Sequence, residues 1–179
     1  MIDWGDFWNF FKTGVPRDVL IPSFLLMLFA LGLVIFSGRV RNKRNSILWI
    51  LLVEYLFIVL CSTVICRNRM VFEFARFEPS PLWTYIAVIN RMPGVSVWDI
   101  VLNVVLFMPM GFLLGCIYPS IKINRLVIVV LGCSLLIETS QYLLEKGVAQ
   151  TDDILHNIVG AVVGCFMAKG LMLYRSKHS

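Results

Sequence analysis

Three short runs place polar chemistry inside otherwise apolar stretches. In Trp98-Asp-Ile-Val-Leu-Asn, Asp99 and Asn103 are four apart and share one helical face. In Glu138-Thr-Ser-Gln, Glu138 and Gln141 are three apart and again share a face. Asp152-Asp-Ile-Leu-His-Asn pairs Asp153 with Asn157 and, on a neighbouring face, Asp152 with His156. Carboxylates and amides in these patterns can bind a polar ligand, act as general acids and bases, or offer hard oxygens to a divalent cation. No Ser-His or Cys-His nucleophile arrangement, phosphate-binding glycine loop or metal-ligand signature accompanies them. We therefore assign no catalytic residue, metal ligand or cofactor, and take Asp99, Asn103, Glu138, Gln141, Asp152, Asp153 and Asn157 as candidate ligand-binding residues.

Each also has a purely structural reading. Asp99 and Asp153 can be N-caps stabilised by a helix dipole. Asn103, Gln141 and Asn157 can bond between helices, a contact worth about 0.6 kcal/mol in a membrane. His156 can be a packed histidine. Glu138 resists such a reading most, because it is ionisable and lies well inside an apolar run.

The elements that must position these groups are membrane spans. Of 179 residues, 59% are hydrophobic and 15% charged, against about 45–50% and about 25% in a soluble domain. So short a chain cannot hide that excess in one core. A helix rising 1.5 Å per residue needs about 20 apolar residues to cross the hydrocarbon. Five stretches qualify: Val19–Phe36, Ile47–Cys66, Trp98–Tyr118, Leu126–Leu144 and Asp153–Tyr174. The expectation is an all-α polytopic bundle over 19–174, with an interfacial segment at 1–18 and a short tail at 175–179. The first run follows Asp3, Asp6 and Asp18 and lacks a small-residue cleavage site, so it reads as an uncleaved anchor.

Basic residues orient the bundle. Arg39, Arg41, Lys43 and Arg44, then Lys122 and Arg125, then Lys169, Arg175 and Lys177, fall on one side, and no acid stands in those segments. The positive-inside rule makes that side cytoplasmic, with the N-terminus outside. Apart from Glu54 in the second span, the acids lie on or near the outer side. The net charge of +5 is then a topology signal rather than a nucleic-acid footprint. All five cysteines lie within spans without Cys-x-x-Cys spacing, so neither a disulfide framework nor a zinc site is expected.

Trp4, Phe7, Trp8 and Phe11 form an aromatic stripe suited to the membrane interface. The loop Arg67–Val97 interleaves Phe72, Phe74, Phe77, Trp83 and Tyr85 with Arg69, Arg76 and Arg91, as an outer cap or re-entrant element resting on the bundle would, with Arg side chains able to meet lipid phosphates or an anionic ligand. Under that cap the three polar runs land at one depth. Asn103 and Asn157 lie about one turn inside the apolar boundary and Glu138 about two. A carboxylate at mid-membrane costs about 2.5–3.5 kcal/mol on insertion scales, so these groups must face each other or water. Asp99-Ile-Val-Leu-Asn-Val-Val also matches Asp153-Ile-Leu-His-Asn-Ile-Val, a parallel repeat such as transporters use. Gly111-x-x-x-Gly115 and Gly160-x-x-x-Gly164 give helices room to touch, and Pro109 can bend the third span.

The run Asp99-x-x-x-Asn103-x-x-x-Phe107-x-Pro109-x-Gly111, then Glu138-x-x-Gln141, then Asp152-Asp153-x-x-x-Asn157-x-x-Gly160-x-x-x-Gly164, resembles the VanZ-like family of bacterial membrane proteins. The motif core covers 98–165. One stretch departs: where the family often carries Gly-Arg, this chain has Lys146-Gly147. The resemblance implies a multi-pass protein of the cell membrane, linked for the founding member to resistance against the lipid-tailed glycopeptide teicoplanin. The function expected is non-enzymatic binding, in an outer polar pocket, of a lipid headgroup, a lipid-linked cell-wall precursor or a lipoglycopeptide. Membrane lipid and a second copy of the chain are the expected partners, and nucleic acid is not. Two alternatives stay open: an intramembrane enzyme using Asp99, Glu138 and Asp153 on a lipid-linked envelope substrate, and a small transporter or assembly subunit.

Overall fold

The structure is a computed structural model that describes residues 16–37, 42–67, 77–92 and 95–178. The aromatic stripe Trp4–Phe11 and the residues Arg39, Arg41, Arg69, Phe72, Phe74 and Arg76 lie outside the described residues.

Five helices are long and apolar enough to cross a membrane. Helix α1 is Arg17–Phe36, α2 Lys43–Leu60, α4 Val97–Ile117, α5 Ile123–Leu144 and α6 Thr151–His178, with the short α3, Trp83–Ile89, between α2 and α4. Helix α2 runs on into a π turn, Cys61–Ile65. Two parallel strands of two residues each, β1 (Phe77–Glu78) and β2 (Ala149–Gln150), stitch the loop before α3 to the loop before α6. The expected spans are all present, and the last helix continues through the expected tail to His178.

Local sequence accounts for the helix ends. A capping box starts α4: the Ser96 hydroxyl accepts from the Trp98 N–H, and the Asp99 carboxylate accepts from the Ser96 N–H at 2.7 Å. Asp152 and Asp153 fill the first turn of α6, where the dipole favours negative charge. Cations meet the opposite helix ends. Lys43 donates to the Ile35 carbonyl at 2.7 Å and Lys146 to the Ile65 carbonyl at 2.6 Å, while Lys169 donates to the Ile121 carbonyl in the loop between α4 and α5 at 2.8 Å.

Helices α4 and α6 run parallel and form the most extensive pair in the bundle. Glycine makes this possible. A Cβ on Gly111 would overlap the Ala161 carbonyl oxygen, one on Gly160 the Val104 carbonyl oxygen, and one on Gly164 the Met108 carbonyl oxygen. A Cβ on Gly115 would press on the Ala168 side chain at 2.9 Å. Backbone therefore lies against backbone along the whole seam, as small-xxx-small motifs allow in lipid. Phe107, Met110 and Leu114 of α4 pack with Ala161 and Cys165 of α6, Leu126 and Val130 of α5, and Leu52 and Val59 of α2. Helix α1 buries no residue and rests on α2. The apolar side chains turned outward, such as Leu26, Phe29, Leu136 and Leu143, face what the membrane supplies.

Glu54 stands in the middle of the span Lys43–Ile65. It borders a 350 Å³ crevice with Leu20, Ile21, Phe24, Leu25 and Ile58, at the seam of α1 and α2. Its Oε1 is buried without a hydrogen-bond partner, and among the described residues no cation meets it. Replacing Glu54 by Leu is expected to stabilise the protein by about 1–3 kcal/mol, the cost of leaving a buried polar group unpaired. Thermal unfolding in detergent reads this; a lower midpoint in Glu54→Leu would refute it.

Candidate functional site

The ends of α2, α4, α5 and α6 that lie nearest α3 enclose a cavity of about 570 Å³. Helix α4 contributes Asp99, Asn103, Leu106 and Phe107; α5 contributes Ile137, Glu138 and Gln141; α6 contributes Asp153 and Asn157. Ser62, Thr63, Cys66 and Arg67 enter from the π turn and the residues after it, Thr84 from α3, and Val148 and Gln150 from the loop before α6. Six of the seven sequence-predicted residues thus share one cavity, and Asp152 does not line it.

Exposure falls from mouth to floor. Arg67 and Asp99 are exposed, Asn103 and Asp153 half-buried, and Glu138, Gln141 and Asn157 buried. The helices are tied across the cavity by polar bonds. Asn103 Nδ2 donates to Asp153 Oδ1 at 2.6 Å, joining the two halves of the sequence repeat. Gln141 Nε2 donates to the Thr63 carbonyl at 3.1 Å. That carbonyl lies in the π turn, where the Cys66 N–H reaches back to the Cys61 carbonyl and the α-helical ladder is broken. Asn157 Nδ2 donates to Ser134 Oγ at 2.8 Å, and Glu138 Oε2 accepts from the Gln150 N–H at 3.1 Å.

Asp152 is turned to α3 instead. Its Oδ1 accepts from the Leu82 N–H at 2.7 Å and its Oδ2 from the Thr84 N–H at 2.8 Å. His156, one turn on, meets the Tyr85 hydroxyl through Nε2 at 2.9 Å, with the two rings edge to face at 5.5 Å. Its Nδ1 stands 3.9 Å from Asp153 Oδ1. One face of α6 therefore serves the cavity and the neighbouring face holds the cap. Tyr85 and Thr84 belong to the loop expected to cap the bundle, and α3 does so.

A model of the VanZ/LLP1 family matches residues 23–174, most of the chain and every residue that lines the cavity. The chain belongs to the VanZ/LLP1 family. No curated protein and no solved structure matches it. At the stretch where this VanZ/LLP1 member departs from the family pattern, Lys146 does not line the cavity; its ammonium is held on the Ile65 carbonyl. Gly147 leaves room beside it, since a Cβ there would stand 3.1 Å from Gln141 Oε1 and 3.3 Å from a terminal nitrogen of Arg67. Sequence reasoning did not name Ser62, Thr63, Arg67, Thr84 or Gln150 of the lining, and of these Arg67 is the charged one. Its signal was a basic residue directly after the second span, on the side of the polar runs.

Proposed function

We propose that this VanZ/LLP1 protein is a non-enzymatic protein of the bacterial cell envelope whose cavity binds a lipid headgroup or the polar part of a lipid-linked cell-wall precursor. The cavity itself carries this reading: about 570 Å³ of polar-lined space inside a membrane bundle falls in the roughly 300–1,000 Å³ class that takes small molecules. Such a space admits a headgroup or a sugar unit and leaves the body of a glycopeptide outside. Teicoplanin resistance then arises through the envelope lipid or precursor that the antibiotic must meet. The basic residues at the far helix ends, Lys43, Lys169 and Arg175 among them, favour an outward-facing cavity by the positive-inside rule.

Expression in a susceptible host is expected to raise resistance to teicoplanin over vancomycin, and Asp153→Ala to abolish the gain. Unchanged sensitivity, together with no lipid co-purifying, would overturn the proposal. A second reading, an intramembrane enzyme on a lipid-linked substrate, is favoured by one observation: Glu138 and Asp153 face the same cavity beside a cationic group, Arg67. Glu138→Gln separates the two. The amide retains an acceptor for the Gln150 N–H, so lipid still co-purifies whatever its headgroup, whereas acid/base chemistry at Glu138 is lost.

A further inference from the structure

Among the described residues lining the cavity, the buried polar atom left without a partner is an acceptor. Three of the cavity's amides each commit a donor to the protein, Asn103 to Asp153, Gln141 to the Thr63 carbonyl and Asn157 to Ser134. Its hydroxyls are spent likewise, Ser62 and Thr63 on the Val59 carbonyl at 3.0 and 2.7 Å, and Thr84 on Gln150 Oε1 at 3.2 Å. Asn157 is 3% exposed, lines the cavity, and its Oδ1 is buried with no hydrogen-bond partner. Glu138 and Asp153 each use one carboxylate oxygen on the bonds given above, which leaves each a second oxygen. Buried polar groups in native proteins are almost always paired, so an orphaned acceptor beside two carboxylates marks the place of a donor that is supplied from outside.

At the mouth the balance reverses. Arg67 is exposed, brings five N–H donors, and is the one cation among the described residues lining the cavity. From these two halves we infer that the ligand is a phosphate ester bearing a primary ammonium group, its phosphate at Arg67 and its ammonium among Asn157, Glu138 and Asp153. This rests on the binding function proposed above and narrows its ligand class.

Competing chemistries fit less well. An ammonium has three donors and no acceptor, the complement of this cavity floor. A polyanion such as a diphosphate would satisfy Arg67 but meet the carboxylates and the orphaned amide oxygen with further acceptors. A divalent cation needs several hard oxygens converging on one point, and among the described residues no three His, Cys, Asp or Glu side chains are so grouped. A neutral sugar would bring no anion to Arg67 and no cation to Asp153.

The test uses the full chain in detergent, with binding read by calorimetry and native mass spectrometry. Short-chain phosphatidylethanolamine is expected to bind at least about tenfold more tightly than its N-acetylated form or phosphatidylglycerol of equal chain length. Asp153→Asn keeps an acceptor for Asn103 and is expected to remove that preference. Glu138→Gln, which preserves shape, is the second variant with the same expectation. Arg67→Gln is expected to weaken both lipids alike. Free phosphoethanolamine that competes with the lipid identifies the headgroup alone as sufficient; failure to compete, with the lipid preference intact, identifies a membrane-borne ligand, and both outcomes uphold the ammonium ester. Equal binding of phosphatidylglycerol or of the N-acetylated lipid would overturn the inference and leave the binding function standing. Binding of none of these probes, with no co-purifying lipid, would overturn both.

Discussion

Gly160→Ala is expected to abolish the native α4–α6 seam, with loss of monodisperse protein on size exclusion or a thermal midpoint lowered by well over the range seen for ordinary core substitutions. The added methyl would occupy the position of the Val104 carbonyl oxygen, which is backbone and cannot rotate away. Overpacking a side-chain core costs about 1–3 kcal/mol because neighbours find new rotamers. Here the only relief is separation of two helices that touch along four glycines, so the loss exceeds about 3 kcal/mol. Gly111→Ala and Gly164→Ala meet the Ala161 and Met108 carbonyls and are expected to behave alike. Gly32→Ala and Gly132→Ala supply the control, having nothing within 4 Å of the added Cβ. These are expected to be neutral or stabilising by up to about 1 kcal/mol through helix propensity. Separation of α4 from α6 would also pull Asn103 off Asp153, so the fold defect and loss of the polar cavity arrive together.

That coupling explains how far the site was legible in the sequence. Span length and apolar run are read directly from residue type, because a lipid-facing helix has no other way to satisfy its backbone. Helical periodicity also sorted α6 correctly, placing Asp153 with Asn157 on one face and Asp152 with His156 on the next. What those faces meet is not local. Asp152 finds Leu82 and Thr84 about 70 positions away, and no spacing rule announces a partner at that distance. Arg67 escaped for a different reason. The π turn at Cys61–Ile65 rotates the end of α2 relative to a regular helix, so a 3.6-residue period carried through the span cannot say which residues face the cavity. A lone carboxylate in an apolar span does not announce which neighbour it turns to, and Glu54 borders the crevice against α1.

Asp152→Ala is expected to release α3 from the bundle while leaving the five long helices assembled. Asp152 is 1% exposed, and its two oxygens hold the Leu82 and Thr84 N–H groups at the start of α3. A hydrogen bond to a charged group is worth about 1.5–3 kcal/mol, and the truncation also strands a buried donor at Thr84. Leu82 adds to the effect, because its φ of 66° is a left-handed conformation that a non-glycine residue keeps only when its surroundings enforce it. The polar contacts that stay behind include the His156–Tyr85 bond, the Thr84–Gln150 bond, the Thr151 hydroxyl on the Glu78 and Pro79 carbonyls, and the four-residue β1–β2 pairing. Each is short, and none of them reaches the backbone amides that Asp152 occupied. Hydrogen exchange over 82–89 is therefore expected to rise by two orders of magnitude or more, which corresponds to about 3 kcal/mol of local opening, while α4 and α6 keep their protection. Asp152→Asn retains one acceptor and is expected to fall between the two. A global loss of protection in Asp152→Ala would instead mean that α3 and the α4–α6 seam unfold as one unit, and unchanged protection over 82–89 would mean that the strand pair and His156 suffice to hold the cap over the cavity.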